Sequence, residues 1–345
     1  QEKRREDQRV TRSACSGPRI LRSKKMTENE FNSVFTDYNQ HHILEHYRTL
    51  SRDKQERFLN SLKGLDFKLI FHLHRTLRNA SNASHHIDDI QPASIITIPQ
   101  TKEERARMVE ARRLGESLLR NNKVAVLIVA GGQGSRLGFE GPKGTFPITP
   151  VKRKTFFQLF SESLRALSIR YNATIPLLIM TSNENHDDTV DFFESYDFFG
   201  LNKNIVFFFQ QGMLPTITPD GKIVLKDEVR LFCNPDGHGG SLKALYESGL
   251  LDVLLKKGVT TVFYCQVDNP LVKIADPLFL GYHVMTGAEI STKVVRRMNI
   301  QEKVGVYVAS KDKDMIIEYS DMSVENMSAL DRNGALFYWA GNTAI

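Results

Sequence analysis

Tryptophan occurs once and cysteine three times in 345 residues. Cys15, Cys233 and Cys265 have no paired spacing, so neither a zinc site nor a disulfide framework is encoded, and a reducing compartment, the cytoplasm, is expected. No uncharged apolar run reaches the roughly 18 residues a membrane-spanning helix needs, so none is expected. No apolar stretch follows the basic N-terminal residues, which argues against a secretory signal. An excess of one charge sign is also missing from most of the chain. The formal net charge of +6 is carried by residues 1–25, with nine Lys or Arg against three acids, while the other 320 residues balance at 37 basic and 37 acidic. The body therefore lacks the electrostatic footprint of a nucleic-acid binder. Residues 1–25 are Arg-rich like an organelle-targeting peptide, but Glu2, Glu6 and Asp7 oppose that reading. They read as a basic disordered leader, or as sequence upstream of a start at Met26.

What is present is the composition of an ordinary globular protein, 41% hydrophobic and 25% charged. Residues 26–100 form a helical N-terminal region, with Phe31, Val34, Phe35, Tyr38, Ile43, Leu44, Tyr47, Phe58, Leu59 and Leu62 at helical spacing as far as about residue 78. Residues 79–100 are rich in Ser, Asn, His and Pro and read as a connecting loop, its His85 and His86 solvated. A helix is expected from Lys102 to Arg120. From there buried strands and helices alternate. The expected strands are Val124–Ala130, Ile175–Met180, Asn204–Phe209 and Val262–Val267; the expected helices are Phe156–Ile169, Thr189–Ser195 and Ser241–Lys256. Short, wholly apolar runs fit strands covered on both faces, and the alternation predicts an α/β fold with a doubly wound sheet over residues 101–345. In such sheets ligands bind beyond the C-terminal ends of the strands, here after Ala130, Met180, Phe209 and Val267. No internal repeat is present.

The first of those ends carries Gly131-Gly132-Gln133-Gly134-Ser135-Arg136-Leu137-Gly138. Closely spaced glycines let backbone N–H groups approach phosphate oxygens. The spacing Gly132-x-Gly134-x-x-x-Gly138, with Gly141-Pro142 soon after, departs from the dinucleotide fingerprint. Pro142-Lys143-Gly144-Thr145 has the wrong order for a Walker loop. A tight turn without a ligand is the remaining plain alternative. Arg136 and Lys143 argue against it, because two cations on one glycine-rich loop make an anion site.

With the following Pro142-Lys143-Gly144, this loop resembles the signature of sugar nucleotidyltransferases. More narrowly, it resembles that of the UDP-N-acetylhexosamine pyrophosphorylases among the eukaryotic-type UDP-sugar pyrophosphorylases. The likeness continues in order through Phe209–Pro215, Pro235-Asp236-Gly237, Val267-Asp268-Asn269, Val304-Gly305-Val306, Glu318-Tyr319-Ser320 and Ala340-Gly341-Asn342. The resemblance implies a Rossmann-like, GT-A-like nucleotidyltransferase core with a mixed sheet. The activity it implies is transfer from UTP to a sugar 1-phosphate, N-acetylglucosamine 1-phosphate above all, with release of pyrophosphate and with Mg²⁺ as cofactor. Arg136 would bind the leaving pyrophosphate and Lys143 would offset charge at the α-phosphate. Val129, Gly131, Gly132, Gln211 and Gly237 would hold the nucleotide, the Gln211 amide matching a uracil edge in both donor and acceptor. Asp268 would hold the metal. His238, Gly305, Glu318 and Asn342 would meet the sugar. The plain alternatives are surface cations for Arg136 and Lys143, a turn carboxylate for Asp268, and an exposed strand carboxylate for Glu318.

The chain departs from the family pattern in three places. His238 stands where the family has Asn in Asp-Gly-Asn-Gly-Gly, which leaves glucose- or galactose-type 1-phosphates open as substrates. Trp339 precedes Ala340-Gly341-Asn342 where a small polar residue is usual, either reshaping the sugar pocket or packing in a core. The sequence stops at Ile345, inside an expected strand, where the family continues, so residues 101–345 read as a catalytic domain truncated at its C-terminal end. A non-catalytic nucleotide or UDP-sugar binder is therefore the second expectation. Oligomeric state is not legible.

Overall fold

The computed structural model describes residues 26–80, 90–310, 314–341 and 344–345. Cys15, His85, His86 and Asn342 lie outside the described residues. The chain divides into two compact units: one comprises the chain up to Leu65 with Gly212–Thr216 and Lys222–Lys257, the other Asp66–Gln211, Ile217–Gly221 and Gly258–Ile345.

The larger unit is built on four parallel strands: β1 (Val124–Val129), β2 (Leu177–Thr181), β3 (Val206–Gln210) and β4 (Thr261–Gln266), in the spatial order β3-β2-β1-β4. In-register pairing runs Val126 to Leu177, Leu177 to Val206, and Val124 to Thr261. All five residues of β2, and all of β1 but Val129, are buried. That is why their sequences are continuous apolar runs without the alternation of a half-exposed strand. Phe157, Phe160, Leu164, Phe193 and Leu280 join these strands in one core. The expected helix Lys102–Arg120 has those bounds, begun by a capping box between Thr101 and Glu104. Phe156–Tyr171 and His186–Ser195 extend the expected helices by two and three residues.

The doubly wound α/β architecture expected from the alternation is the one observed. Most antiparallel strands gather in a second sheet, Gln91–Pro92, Val306–Ala309, Trp339–Ala340 and Val295–Arg296 in order, with Asp314–Ile317 paired to Val306–Ala309. The stretch read as a plain connecting loop thus contributes a short strand at Gln91–Pro92. Ile345 exchanges backbone hydrogen bonds with Tyr264 of β4, at 2.6 and 3.0 Å.

In the smaller unit, helices Glu28–Asp37, His41–Thr49 and Arg52–Ser61 bury Phe31, Phe35, Tyr47 and Phe58 against one another. His42 and Gln40 bond the backbone of Ile223, tying these helices to the hairpin Leu225–Asp227/Arg230–Leu231. The single helix expected over Ser241–Lys256 is two, Gly237–Glu247 and Leu250–Lys256. Gly249 separates them at φ +73°, a left-handed conformation that ends a helix and that glycine adopts without steric cost.

Candidate functional site

In the order β3-β2-β1-β4, the first strand is flanked by the second on one side and by the last on the other. β1 connects onward to β2 on one side while β4 lies on its other side, a switch in strand order of the kind beyond whose C-terminal strand ends ligands bind. Both ends carry sequence-predicted site residues: Val129 through Gly132 after β1, and Asp268 after β4. A bond from the Val267 amide to the Val129 carbonyl, 3.1 Å, holds the two exits together.

The glycine loop does not start a long helix. It makes one 3₁₀ turn, Ser135–Leu137, closed by Gly138 in the left-handed region. It then returns antiparallel to itself, with Gly134 N–H donating to Gly141 at 2.9 Å and Lys143 N–H to Gly132 at 3.0 Å. This fold-back explains why both nucleotide-loop consensus patterns failed, since a hairpin replaces the helix N-terminus that each requires. The amides of Gly131, Gly132 and Gln133 donate to no group among the described residues. Arg136 is exposed at the loop tip and has no ion-pair partner among the described residues.

The fold-back also aims Lys143. Its side chain passes over Gly132, where a Cβ would stand 3.6 Å from Lys143 Nζ, and Nζ donates to Asp268 Oδ2 at 2.9 Å. Residues 125 positions apart in sequence, read separately as a phosphate cation and a metal carboxylate, are thereby brought into one ion pair. With Asp268 42% exposed, water screens the pair, and its contribution to stability is at most about 1 kcal/mol. Gln211 completes the group. Its backbone N–H donates to Thr181 at the end of β2, 2.8 Å, and its side-chain amide lies over Gly131, where a Cβ would come within 2.6 Å of Oε1. Only glycine at 131 leaves that amide room. A hollow of about 600 Å³ adjoins the loop, lined by Gln133, Ser135, Gly138, Phe139, Glu140, Gly141 and Asp188.

A second cluster forms on the antiparallel sheet. Gly305 lies against Glu318, whose Oε1 would be 3.4 Å from a Cβ at 305, and the Gly305 carbonyl accepts from Gly341 N–H at 3.2 Å. Three of the sequence blocks read as sugar contacts thus meet at Gly305; Asn342 itself lies outside the described residues. Trp339 is half-buried in a strand of this sheet with the Arg296 guanidinium 4.8 Å from its ring centroid.

Gly237 and His238 belong to the smaller unit, both exposed at the first turn of the helix Gly237–Glu247. The residue before them, Asp236, lies in a glycine cradle: a Cβ at Gly212 would come within 2.2 Å of its carboxylate, and one at Gly240 within 1.9 Å. Its Oδ1 is buried without a hydrogen bond, and burial raises its pKa above the ordinary carboxylate value.

Among the described residues no three His, Cys, Asp or Glu side chains group as a metal cage. Asp268 is a lone carboxylate, a donor set that suits an ion taking its remaining ligands from water and phosphate, as Mg²⁺ does. Sequence reasoning missed the residues that support the loop from beneath: Thr181, whose carbonyl receives Gln211, and Asn185, whose amide reaches the glycine loop. Their only signal is a run of polar residues, Thr181-Ser182-Asn183-Glu184-Asn185, directly after an apolar strand. No described helix is long and apolar enough to cross a membrane.

Comparison with known proteins bears on this arrangement. The family model for UTP–glucose-1-phosphate uridylyltransferase matches residues 68–342. UDP-N-acetylglucosamine pyrophosphorylase of Saccharomyces cerevisiae is 35% identical over 324 residues, covering 90% of this chain and 67% of that protein. A probable UDP-N-acetylglucosamine pyrophosphorylase of Dictyostelium discoideum is 33% identical over 322 residues, covering 90% and 66%. Among solved structures, the uridine diphosphate N-acetylglucosamine pyrophosphorylase of Trypanosoma brucei, in complex with an inhibitor, superposes with a TM-score of 0.80 at 28% identity. It covers 92% of this chain and 66% of that one. The chain spans about two thirds of the length of the relatives it matches.

Proposed function

The chain belongs to the UTP–glucose-1-phosphate uridylyltransferase family, and from that premise we propose that it joins UTP to N-acetylglucosamine 1-phosphate, giving UDP-N-acetylglucosamine and pyrophosphate. The observation that carries this reading is the convergence of Gly131, Gly132, Lys143, Gln211 and Asp268 at the strand ends flanking the sheet's switch point. The names of the 32–35% identical relatives support the choice of sugar.

In this reaction an oxygen of the sugar phosphate attacks the α-phosphorus of UTP, and the bond to the β-phosphate oxygen breaks. The protein mainly positions the reactants and neutralises charge. The free amides of Gly131 and Gly132, with Val129, receive the uridine, and the Gln211 amide reads the uracil edge. Arg136 engages the leaving pyrophosphate with a planar guanidinium. Lys143 exchanges Asp268 for the α-phosphate as charge builds there. Asp268 would hold Mg²⁺, which when bound neutralises the phosphate oxygens. Gly305, Glu318 and Asn342 meet the sugar, Glu318 accepting from its hydroxyls. The reaction is assigned to the cytoplasm, in keeping with the two free cysteines among the described residues.

The test is to incubate the chain with UTP, Mg²⁺ and a panel of sugar 1-phosphates while following pyrophosphate. Release with N-acetylglucosamine 1-phosphate is expected; no release with any sugar would overturn the proposed activity. His238, in the family's Asn position, favours a second reading in which glucose or galactose 1-phosphate is preferred, and the same panel separates the two. Saturable UTP binding without turnover would identify a nucleotide-binding protein instead.

A further inference from the structure

Asn185 is wholly buried, and its side chain is fully engaged at the base of the glycine loop. Its Nδ2 donates to the carbonyls of Ala130, 3.0 Å, and Gly132, 3.3 Å, while its Oδ1 accepts from Ser182 N–H at 2.8 Å. It precedes the helix His186–Ser195 but gives that helix no side-chain cap, so the usual structural use of Asn at this position is not the one made of it. Every polar atom of the side chain goes instead to the turn after β2 and to the loop after β1.

Geometry gives these bonds a consequence. In a planar trans peptide the carbonyl of one residue and the N–H of the next point in opposite directions. With the Ala130 and Gly132 carbonyls drawn onto Asn185, the N–H groups of Gly131 and Gln133 face away from it. Those amides, together with Gly132 N–H, have no acceptor among the described residues. Glycine at 131 and 132 offers no side-chain resistance to a flipped peptide. The Gly132 carbonyl is held both by Lys143 N–H of the fold-back and by Asn185, whereas the bond that holds the Ala130 carbonyl, and with it the Gly131 amide, comes from the buried amide of Asn185.

We propose that Asn185 is a positioning residue for nucleotide binding, presetting the Gly131 amide and, together with Lys143 N–H, the Gln133 amide for the anionic and polar atoms of UTP. It touches no substrate itself. The inference rests on the nucleotide reading of the loop given above.

The test compares the full chain with Asn185→Asp. This variant keeps the acceptor for Ser182, sets an oxygen against two carbonyls in place of the donor, and adds a carboxylate charge that the Asn185→Ser variant leaves out. Calorimetric titration with UTP should show binding weakened by about 10- to 100-fold, the loss expected when the buried Ala130 carbonyl goes unsatisfied and the loop must reorder on binding. Hydrogen exchange at residues 131–133 of the ligand-free chain should change relative to wild type, while exchange in β2 and the helix His186–Ser195 does not. Asn185→Ser, which retains one donor but cannot span both carbonyls, should fall between the two and serves if Asn185→Asp does not fold. Unchanged UTP affinity in a folded variant would overturn the positioning role. If the wild-type chain itself fails to bind UTP, the nucleotide reading falls. The exchange comparison then decides separately whether Asn185 presets the loop, and unaltered exchange at 131–133 would overturn that as well.

Discussion

Lys143 and Asp268 make the residue scale concrete. Each side chain alone has a bland reading, a surface cation and a turn carboxylate. At 2.9 Å across Gly132 they form a pair that a polyphosphate and a cation would divide between them. Replacing Arg136 with Ala should lower the rate of pyrophosphate release by about 10²- to 10³-fold, the usual cost of losing one preorganised group that meets transition-state charge. Asp268→Asn should weaken Mg²⁺ binding, seen as a higher Mg²⁺ concentration at half-maximal UTP binding. His186 supplies a pH prediction. Burial holds its pKa below the ordinary 6.5, with Asp187 opposing the shift, and its Nδ1 lies 2.7 Å from Thr181 Oγ1. The unfolded chain takes up this proton near 6.5 while the folded chain resists it. Stability from this group is thus complete above that pH and drains as pH falls below it. His186→Gln should flatten the decline of Tm between about pH 6.5 and 5, measured by thermal melts across that window.

At the scale of elements, the helix Lys102–Arg120 and the helix Pro277–Thr286 approach each other through Gly115 and Gly281. A Cβ at Gly281 would stand 1.6 Å from the Ala111 carbonyl, and one at Gly115 1.8 Å from that of Pro277. No side chain can bend out of the way, because the obstacle on both sides is backbone. Gly281→Ala should therefore destabilise the chain by about 1–3 kcal/mol or more, read from urea denaturation, since the helices must separate. The hairpin of the glycine loop belongs to this scale too. The bridge between Gln133 and Pro142 closes the glycine-rich stretch into a loop. That closure is what returns Lys143 over Gly132.

For the molecule as a whole, the decisive quantity is where the charge lies. Residues 26–345 are balanced at 37 basic and 37 acidic, so the high pI resides in residues 1–25. A chain beginning at Met26 should lose retention on heparin at about 0.1 M salt, where the full chain is held, because the interaction scales with the number of neutralised anions. Its UTP affinity should be unchanged; a fall would place residues 1–25 in the nucleotide site.

The sequence by itself determined the order of the parallel strands and their helices from residue 101 to Val267, and which strand ends carry the glycine loop and Asp268; the polyphosphate preference proposed for the loop rests on its glycines and cations. These follow from local rules: buried parallel strands read as apolar runs such as Val124–Val129, helices announce their caps as Thr101 and Glu104 do, and glycines with cations mark an anion loop. Residue blocks read as sugar contacts were legible as pattern, and their meeting at Gly305 was not. Three things were decided only in three dimensions: the Lys143–Asp268 pair, the Gln211 amide over Gly131, and the support of the loop by Asn185. Each joins residues 53 to 125 positions apart or packs a side chain against a missing Cβ. No local rule encodes such distances, because strand order in the sheet, not separation along the chain, sets which loops become neighbours.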